Sequence, residues 1–244
     1  MHILSIIQFT KPALDERHSV CQNDAMTKAH TTRNSSNRQS LNKDSAAKDK
    51  KRDAILVASN HQFRTYGFRK TSMDDIAKHL GISRASLYSY FTDKDDIFRE
   101  VAMQIHEEAL AAAKVCLSTA ARAQDFSARI KNALLARHGP FQEAVIESAH
   151  GSELFDEYSR LCGDIVADSN RRFQTMLVGA LKAAAKTGEI NLKDSGVSPA
   201  AAAEILNLST AGLKHGALDI ATFKKRAKDL VKVFVAGLSN SNKG

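Results

Sequence analysis

What these 244 residues lack narrows the field before any motif is read. The three cysteines, Cys21, Cys116 and Cys162, are odd in number and match neither a disulfide framework nor a zinc spacing, which points to a reducing, cytoplasmic compartment. No apolar run approaches the roughly 20 residues that cross a bilayer; the longest, Val231 to Leu238, is broken by Lys232, so no membrane partner is expected. The apolar stretch from Ile3 to Phe9 is too short for a secretion signal and has neither a basic segment before it nor a small-residue cleavage site after it. There is no repeat of fixed period, no glycine-rich phosphate loop, and no Ser/His/Asp or Cys/His arrangement in a motif context. The chain therefore does not read as an enzyme, and no cofactor is expected. Its length suffices for one large or two modest domains whose core needs no metal or disulfide.

What is present is basic, and unevenly so. The formal net charge is +8, and six of those eight charges fall within the first 99 residues. A basic front on a near-neutral body favours a polyanion at that end through counterion release. Residues 27–48 are rich in Ser, Thr, Asn and Lys with almost nothing to bury, so residues 1–48 are expected to be a disordered polar and basic tail. That tail is either an arm adding phosphate contacts or a solvated leader; translation from Met26 is a further alternative.

From Lys50 onward apolar residues recur at three and four, proline is rare and β-branched runs are short, so the fold class is all-α. A first helix over about 50–66 lines Ile55, Ala58, Ser59 and Gln62–Phe63 along one side and ends at Gly67. Two short helices and a long one over 94–118 follow, the last carrying Ile97, Val101, Ile105, Ala109, Ala112 and Cys116 as a stripe. Further helices are expected at 125–137, 141–149, 152–186, 198–214 and 221–238, divided at Gly139-Pro140, Gly151, Thr187-Gly188, Asp194–Pro199 and Gly216, which makes nine. The predicted division is a small front domain at 49–95 and a larger helical domain at 96–240.

The short pair carries the function. Ser72 with Asp75 three residues later is a capping box, Gly81 supplies a left-handed turn, and Ser83 caps the next helix. Two helices crossing at a wide angle need a small residue at the crossing and apolar ones around it. Ala77 is that residue, with Ile76, Leu80, Ile82 and Leu87 inward and Phe63, Phe68 and Phe91 closing a three-helix core. The second helix keeps only Leu87 inward and turns small and polar side chains outward, as a helix-turn-helix lying in a major groove requires.

The run TYGFRKTSMDDIAKHLGISRASLYSYFTDKDDIF, Thr65 to Phe98, resembles the TetR-family signature nearly throughout, with Gly67-Phe68, Thr71, Ile76-Ala77, Gly81-Ile82-Ser83, Leu87-Tyr88, Tyr90-Phe91 and Lys94 in place. Beyond residue 100 the likeness is one of architecture. The resemblance implies a transcriptional repressor that binds a palindromic double-stranded operator as a homodimer and leaves it when a small-molecule effector binds. Carried over by position, Arg84, Ala85 and Ser86 would approach base edges, and Arg84 could hold guanine O6 and N7 together, unless it touches phosphate alone. Thr71, Ser72, Tyr88, Ser89, Tyr90 and Lys94 complete the expected DNA contacts, although Tyr90 could instead belong to the small core and capping already explains Ser72.

The resemblance also implies a ligand cavity within 94–186, for which His106, Phe141, Tyr158 and Cys162 are candidates on otherwise apolar helices. Dimerisation would use the apolar faces of the last two helices, at Leu206, Leu213, Leu230, Val231, Phe234 and Leu238. Two copies are also what half-sites about 34–36 Å apart demand. Two other readings stay open: a regulator whose second domain binds a protein, and a helical metal-dependent enzyme using His138, Glu143, His150, Glu153 and Asp156. A loop and helix start explains that cluster better, because Gly151 interrupts its one helical pair, and no metal is expected.

Overall fold

The computed structural model describes residues 32–118, 124–213 and 219–238, and among them it holds nine helices and no strand. In chain order these are α1 (Thr32–Tyr66), α2 (Met73–Leu80), α3 (Arg84–Tyr88), α4 (Lys94–Leu117), α5 (Phe126–Ile146), α6 (Gly151–Leu161), α7 (Gly163–Thr187), α8 (Pro199–Gly212) and α9 (Ile220–Gly237). The all-α class is as read from the sequence. The matching number of helices conceals three differences.

The first difference is at the front. Helix α1 starts at Thr32, well before the expected start near residue 50, so the part of the predicted tail from Thr32 onward is helical; residues 1–31 lie outside the described ones. The segment holds no Pro or Gly, and once the downstream turns are anchored by Ile55 and Phe63, each added residue gains a backbone bond without a new nucleation cost. The second difference is α5, which runs unbroken through Pro140 where two helices were expected. An interior proline removes the bond to the carbonyl four residues back and costs about 3 kcal/mol. Burial of Ile130, Ala133 and Leu134, none of them measurably exposed, outweighs it.

The third difference is at Cys162, where the predicted 152–186 helix divides into α6 and α7. Arg99 of α4 holds this break. Its guanidinium donates to the Leu161 carbonyl freed by the break and makes two bonds, of 2.9 and 2.7 Å, to the Asp164 carboxylate in the first turn of α7. A break stabilised by a side chain 62 residues earlier leaves no local signal.

The helices close two cores. One joins α1, α2, α3 and the start of α4 through Phe63, Phe68, Ile76, Leu87 and Phe91, and it also takes in Leu154 and Cys162. The other, built on Leu110, Ile130, Leu134, Phe173, Leu177 and Leu181, is covered by α8 and α9. Helix α6 therefore packs against the helix-turn-helix, and the cores do not part cleanly at residue 96. The inward side expected for the first helix is as observed: Ile55, Ala58, Ser59, Gln62 and Phe63 are all buried.

Candidate nucleic-acid interface and interior cavity

Local chemistry builds α2 and α3. The Ser72 hydroxyl accepts from the Asp75 amide at 3.2 Å, and the Asp75 carboxylate accepts from the Ser72 hydroxyl at 2.5 Å and from the Ser72 amide at 2.9 Å, which together hold that carboxyl below its usual range. Gly81, at φ +65°, turns the chain after Leu80, and Ser83 caps α3 by accepting from the Ser86 amide at 3.1 Å. Helix α3 is shorter than the expected recognition helix. It ends at Tyr88, Ser89 is its cap, and the Tyr90 and Phe91 amides both return to the Leu87 carbonyl at 3.0 and 3.2 Å, tightening the last turn.

The expected DNA contacts divide into three groups. Arg84, Ala85, Tyr88 and Ser89 are exposed along one side of α3, with Ser86 half-buried beside them. Arg84 is pre-positioned there: it donates to the Asp74 carboxylate at 3.1 Å and to the Tyr88 hydroxyl at 3.4 Å, and it lies over the Tyr88 ring at 5.4 Å. Ser72, although exposed, is engaged in its cap. Tyr90 is half-buried against the small core, as its alternative reading had it.

Two residues do not sit as expected. Thr71 is 3 % exposed, and its hydroxyl donates to the Gly67 carbonyl at 2.7 Å, so it braces the α1–α2 turn and presents no hydroxyl to a phosphate. Lys94 spends its three N–H directions on the carbonyls of Phe68, Arg69 and Thr71, at 3.0, 3.3 and 3.2 Å, with its ammonium 4.5 Å from the Phe68 ring. It clamps the same turn. Three carbonyls converge near the start of α4, and an ammonium answers them better than water does.

Sequence reading missed Lys51 and Arg52. Lys51 donates to the Ser86 hydroxyl at 3.1 Å, and Arg52 donates to the Tyr90 carbonyl at 3.2 Å while lying 4.5 Å over the Phe91 ring. The signal was available: the stripe that buries Ile55 and Ser59 extends back one turn to Lys51 and Arg52.

A second feature lies behind this face. A cavity of about 50 Å³ is lined by Phe63 of α1, Phe98 and Ile105 of α4, Phe141 and Val145 of α5, and Leu154 of α6, among others. Of the four expected pocket residues, His106, Phe141 and Tyr158 line it, and the Tyr158 hydroxyl lies 2.5 Å from His106 Nε2. Burial pushes the Tyr158 hydroxyl well above the usual phenol range. Cys162 does not line the cavity. It is fully buried at the α6–α7 joint, where burial raises its thiol to about 11.

Helix α6 faces two ways. Leu154 and Tyr158 face the cavity, while Glu153 accepts from the Arg69 amide at 2.6 Å and Glu157 from the Arg69 guanidinium at 3.1 Å. Arg160, then Arg69, keeps the Glu157 carboxylate below its usual range. Ser148 adds a bond to the Arg64 carbonyl at 2.9 Å. The α1–α2 turn is thus held by Lys94 on one side and by α6 on the other.

On α8 and α9 the expected interface residues Leu206, Val231 and Leu238 are 0–5 % exposed and serve the chain's own core; Leu213, Leu230 and Phe234 are half-buried. The apolar side chains left outside are Ile205, Leu208 and Val233, at 51, 63 and 74 %. The two predictions of inward and outward face were out of phase because both helices lie on a core that takes one full stripe from each. Among the described residues no group of three or more His, Cys, Asp or Glu side chains could hold a metal, and no helix is long and apolar enough to cross a membrane.

Geometry and capping define a helix-turn-helix DNA-binding domain followed by a helical domain with an interior cavity. Residues 55–101 match the family model of the bacterial regulatory proteins of the tetR family. The match spans the helix-turn-helix, and this part of the chain resembles the DNA-binding domain of that family. The HTH-type regulator YfiR of Bacillus subtilis (strain 168) is 37 % identical over 54 residues, which are 22 % of this chain and 26 % of that protein. The HTH-type transcriptional repressor BepR of Brucella suis biovar 1 (strain 1330) is 36 % identical over 50 residues, 20 % of this chain and 24 % of BepR. Both matches span about a quarter of the relative's length. The fold extends much further. A TetR-family regulator of Mesorhizobium loti superposes with a TM-score of 0.63 at 19 % identity, over 79 % of this chain and 98 % of that one. SmeT, the repressor of the Stenotrophomonas maltophilia multidrug efflux pump SmeDEF, does so at 0.57 and 18 %, over 78 % and 91 %.

Proposed function

We propose that this protein is a transcriptional repressor that binds a palindromic operator as a homodimer and is released by a small-molecule effector. The observation that carries this reading is the exposed, pre-positioned Arg84 at the start of α3, backed by a cavity whose wall, α6, also grips the α1–α2 turn. Residues 49–95 act as the DNA-binding domain and 96–240 as the effector and dimerisation domain. SmeT supports the second part, since it has been seen in complex with triclosan.

The coupling follows from volume. At about 50 Å³ the cavity is far below the roughly 300 Å³ of an ordinary ligand site, so an effector must displace its walls. Pressure on Leu154 and Tyr158 moves α6, and with it the carboxylates of Glu153 and Glu157 that hold Arg69. The α1–α2 turn then shifts, and the two recognition helices of the dimer lose their register on the DNA.

The test is binding to a fragment spanning the protein's own promoter, with unrelated competitor DNA, for wild type beside Lys51→Ala over a range of salt. Wild type is expected to be retained selectively. Lys51, next to Ser86 on the DNA-facing side, is placed to meet a phosphate; its loss is expected to weaken binding to all sequences alike and to lower the salt slope by about one per protomer. Wild-type binding that ignores sequence would remove the operator reading, and an unchanged slope would remove Lys51 from the interface.

Ile205, Leu208 and Val233 are the proposed centre of the dimer contact, joined by the half-buried Leu213, Leu230 and Phe234. Leu208→Glu, a charge placed on a 63 % exposed position that cannot upset the monomer core, is expected to sediment as a monomer at concentrations where wild type is a dimer. A variant that remains dimeric would place the contact elsewhere.

A further inference from the structure

Two arginines of α5 are buried, and they are treated differently. Arg129 is paired with Glu189 at 2.5 Å. Arg137, 4 % exposed, has no carboxylate partner among the described residues: one Nη donates to the neutral amide oxygen of Asn170 at 3.1 Å, and its Nε has no partner. Burial pulls this guanidinium below its ordinary value, and no carboxylate among the described residues stands against it to offset that. A cation taken out of water costs far more than one neutral hydrogen bond returns, and an apolar side chain would fill the place more cheaply. A buried charge kept at this cost calls for a counter-ion.

Its position says which one. Arg137 stands one helical turn before Phe141, so both leave the same face of α5, and Phe141 is a wall of the cavity. The Phe141 ring packs 4.2 Å from that of Tyr158, whose hydroxyl feels the Arg137 charge. Beside Asn170 on α7, the hydroxyl of Ser169 is 2 % exposed and also lacks a partner. The rest of the cavity wall is aliphatic and aromatic apart from Asn60, His106 and Arg64, and the Arg64 guanidinium is already paired with Glu147 at 3.6 Å. Since the cavity has to widen for any effector, the end behind Phe141 and Tyr158 is where an anionic group gains most.

We propose that the effector is an organic acid, an apolar body that fills the cavity and a carboxylate that pairs with Arg137 and accepts from Ser169. This rests on the reading of the cavity as an effector site. Carboxylate and guanidinium meet as a fork of two parallel bonds, which a neutral amide cannot supply. The pairing would draw Phe141 and Tyr158 apart and so push on α6, the element that holds Arg69.

The experiment is calorimetric titration of the full chain, without DNA, with octanoate and benzoate and with their neutral partners octanamide and benzamide. Wild type is expected to bind at least one of the acids about 10- to 100-fold more tightly than its amide, the span of a charged hydrogen bond. Arg137→Met is expected to lose that preference. Arg137→Lys, which keeps the charge without the fork and guards against a Met variant that fails to fold, is expected to retain part of it. Equal binding of acid and amide, no binding of either acid, or a preference that survives in Arg137→Met would each overturn the proposal. No DNA is present, so a protein that fails on its promoter fragment but prefers the acids would sink the repressor reading alone; one that binds the promoter without that preference would sink the organic acid alone.

Discussion

Arg84→Ala is expected to weaken binding to the operator by roughly 30-fold to 20,000-fold while leaving binding to unrelated DNA nearly unchanged. The range comes from symmetry: a bidentate arginine–guanine pair discriminates by about 1–3 kcal/mol, a dimer makes it twice, and each 1.4 kcal/mol is tenfold. Freeing the side chain costs little. The pair with Asp74 is exposed on both partners, at 62 and 48 %, and such pairs contribute about 0–1 kcal/mol. Asp74 holds the fork over α3 until a base edge replaces it, and Tyr88 beneath keeps the guanidinium extended. Competition assays on the promoter fragment and on scrambled DNA check this. If both lose affinity equally, Arg84 reads phosphate and specificity rests on DNA shape.

The helix-turn-helix was legible because its signals are local. Ser72 and Asp75, Gly81 and Ser83 are caps and turns that act within four residues, and Ala77, Ile76 and Leu87 follow from helical periodicity. What each exposed polar residue does was less legible, because a hydroxyl or ammonium goes to whichever acceptor the tertiary fold brings nearest. Thr71 and Lys94 met the bare carbonyls of the α1–α2 turn, and no sequence pattern announces a carbonyl cluster. In the second domain the boundaries failed at the two places where packing overrules propensity. Pro140 stays inside α5 because the core claims the turns before it, and Cys162 ends α6 because Arg99 caps the break from another helix. The cavity residues His106, Phe141 and Tyr158 were readable as odd side chains on apolar faces. Arg137 was not, since an arginine in a helix reads as a solvated one until its burial is seen.

Gly151→Ala is expected to have the largest effect on stability and to disturb both ends of the molecule. Gly151 is the first residue of α6, and a Cβ there would stand inside the van der Waals radius of the Val145 carbonyl oxygen in the last turn of α5. A backbone carbonyl cannot turn aside as a side chain can, so α5 and α6 have to separate at their corner. Overpacking of this kind costs about 1–3 kcal/mol, and a backbone clash belongs at the upper end. The corner also carries the Ser148 bond to Arg64 and leads directly to Glu153, whose carboxylate holds the Arg69 amide. Operator affinity is therefore expected to fall together with the urea midpoint, at unchanged m. Gly163→Ala is the control: it opens α7 in the same way, but a Cβ there meets nothing within 4 Å, and the change is expected to be neutral or slightly stabilising. Equal midpoints for the two variants would show that the α5–α6 corner has room to give, and the route from the cavity to the α1–α2 turn would then have to run through α4, which lines the same cavity and carries Lys94 at its start.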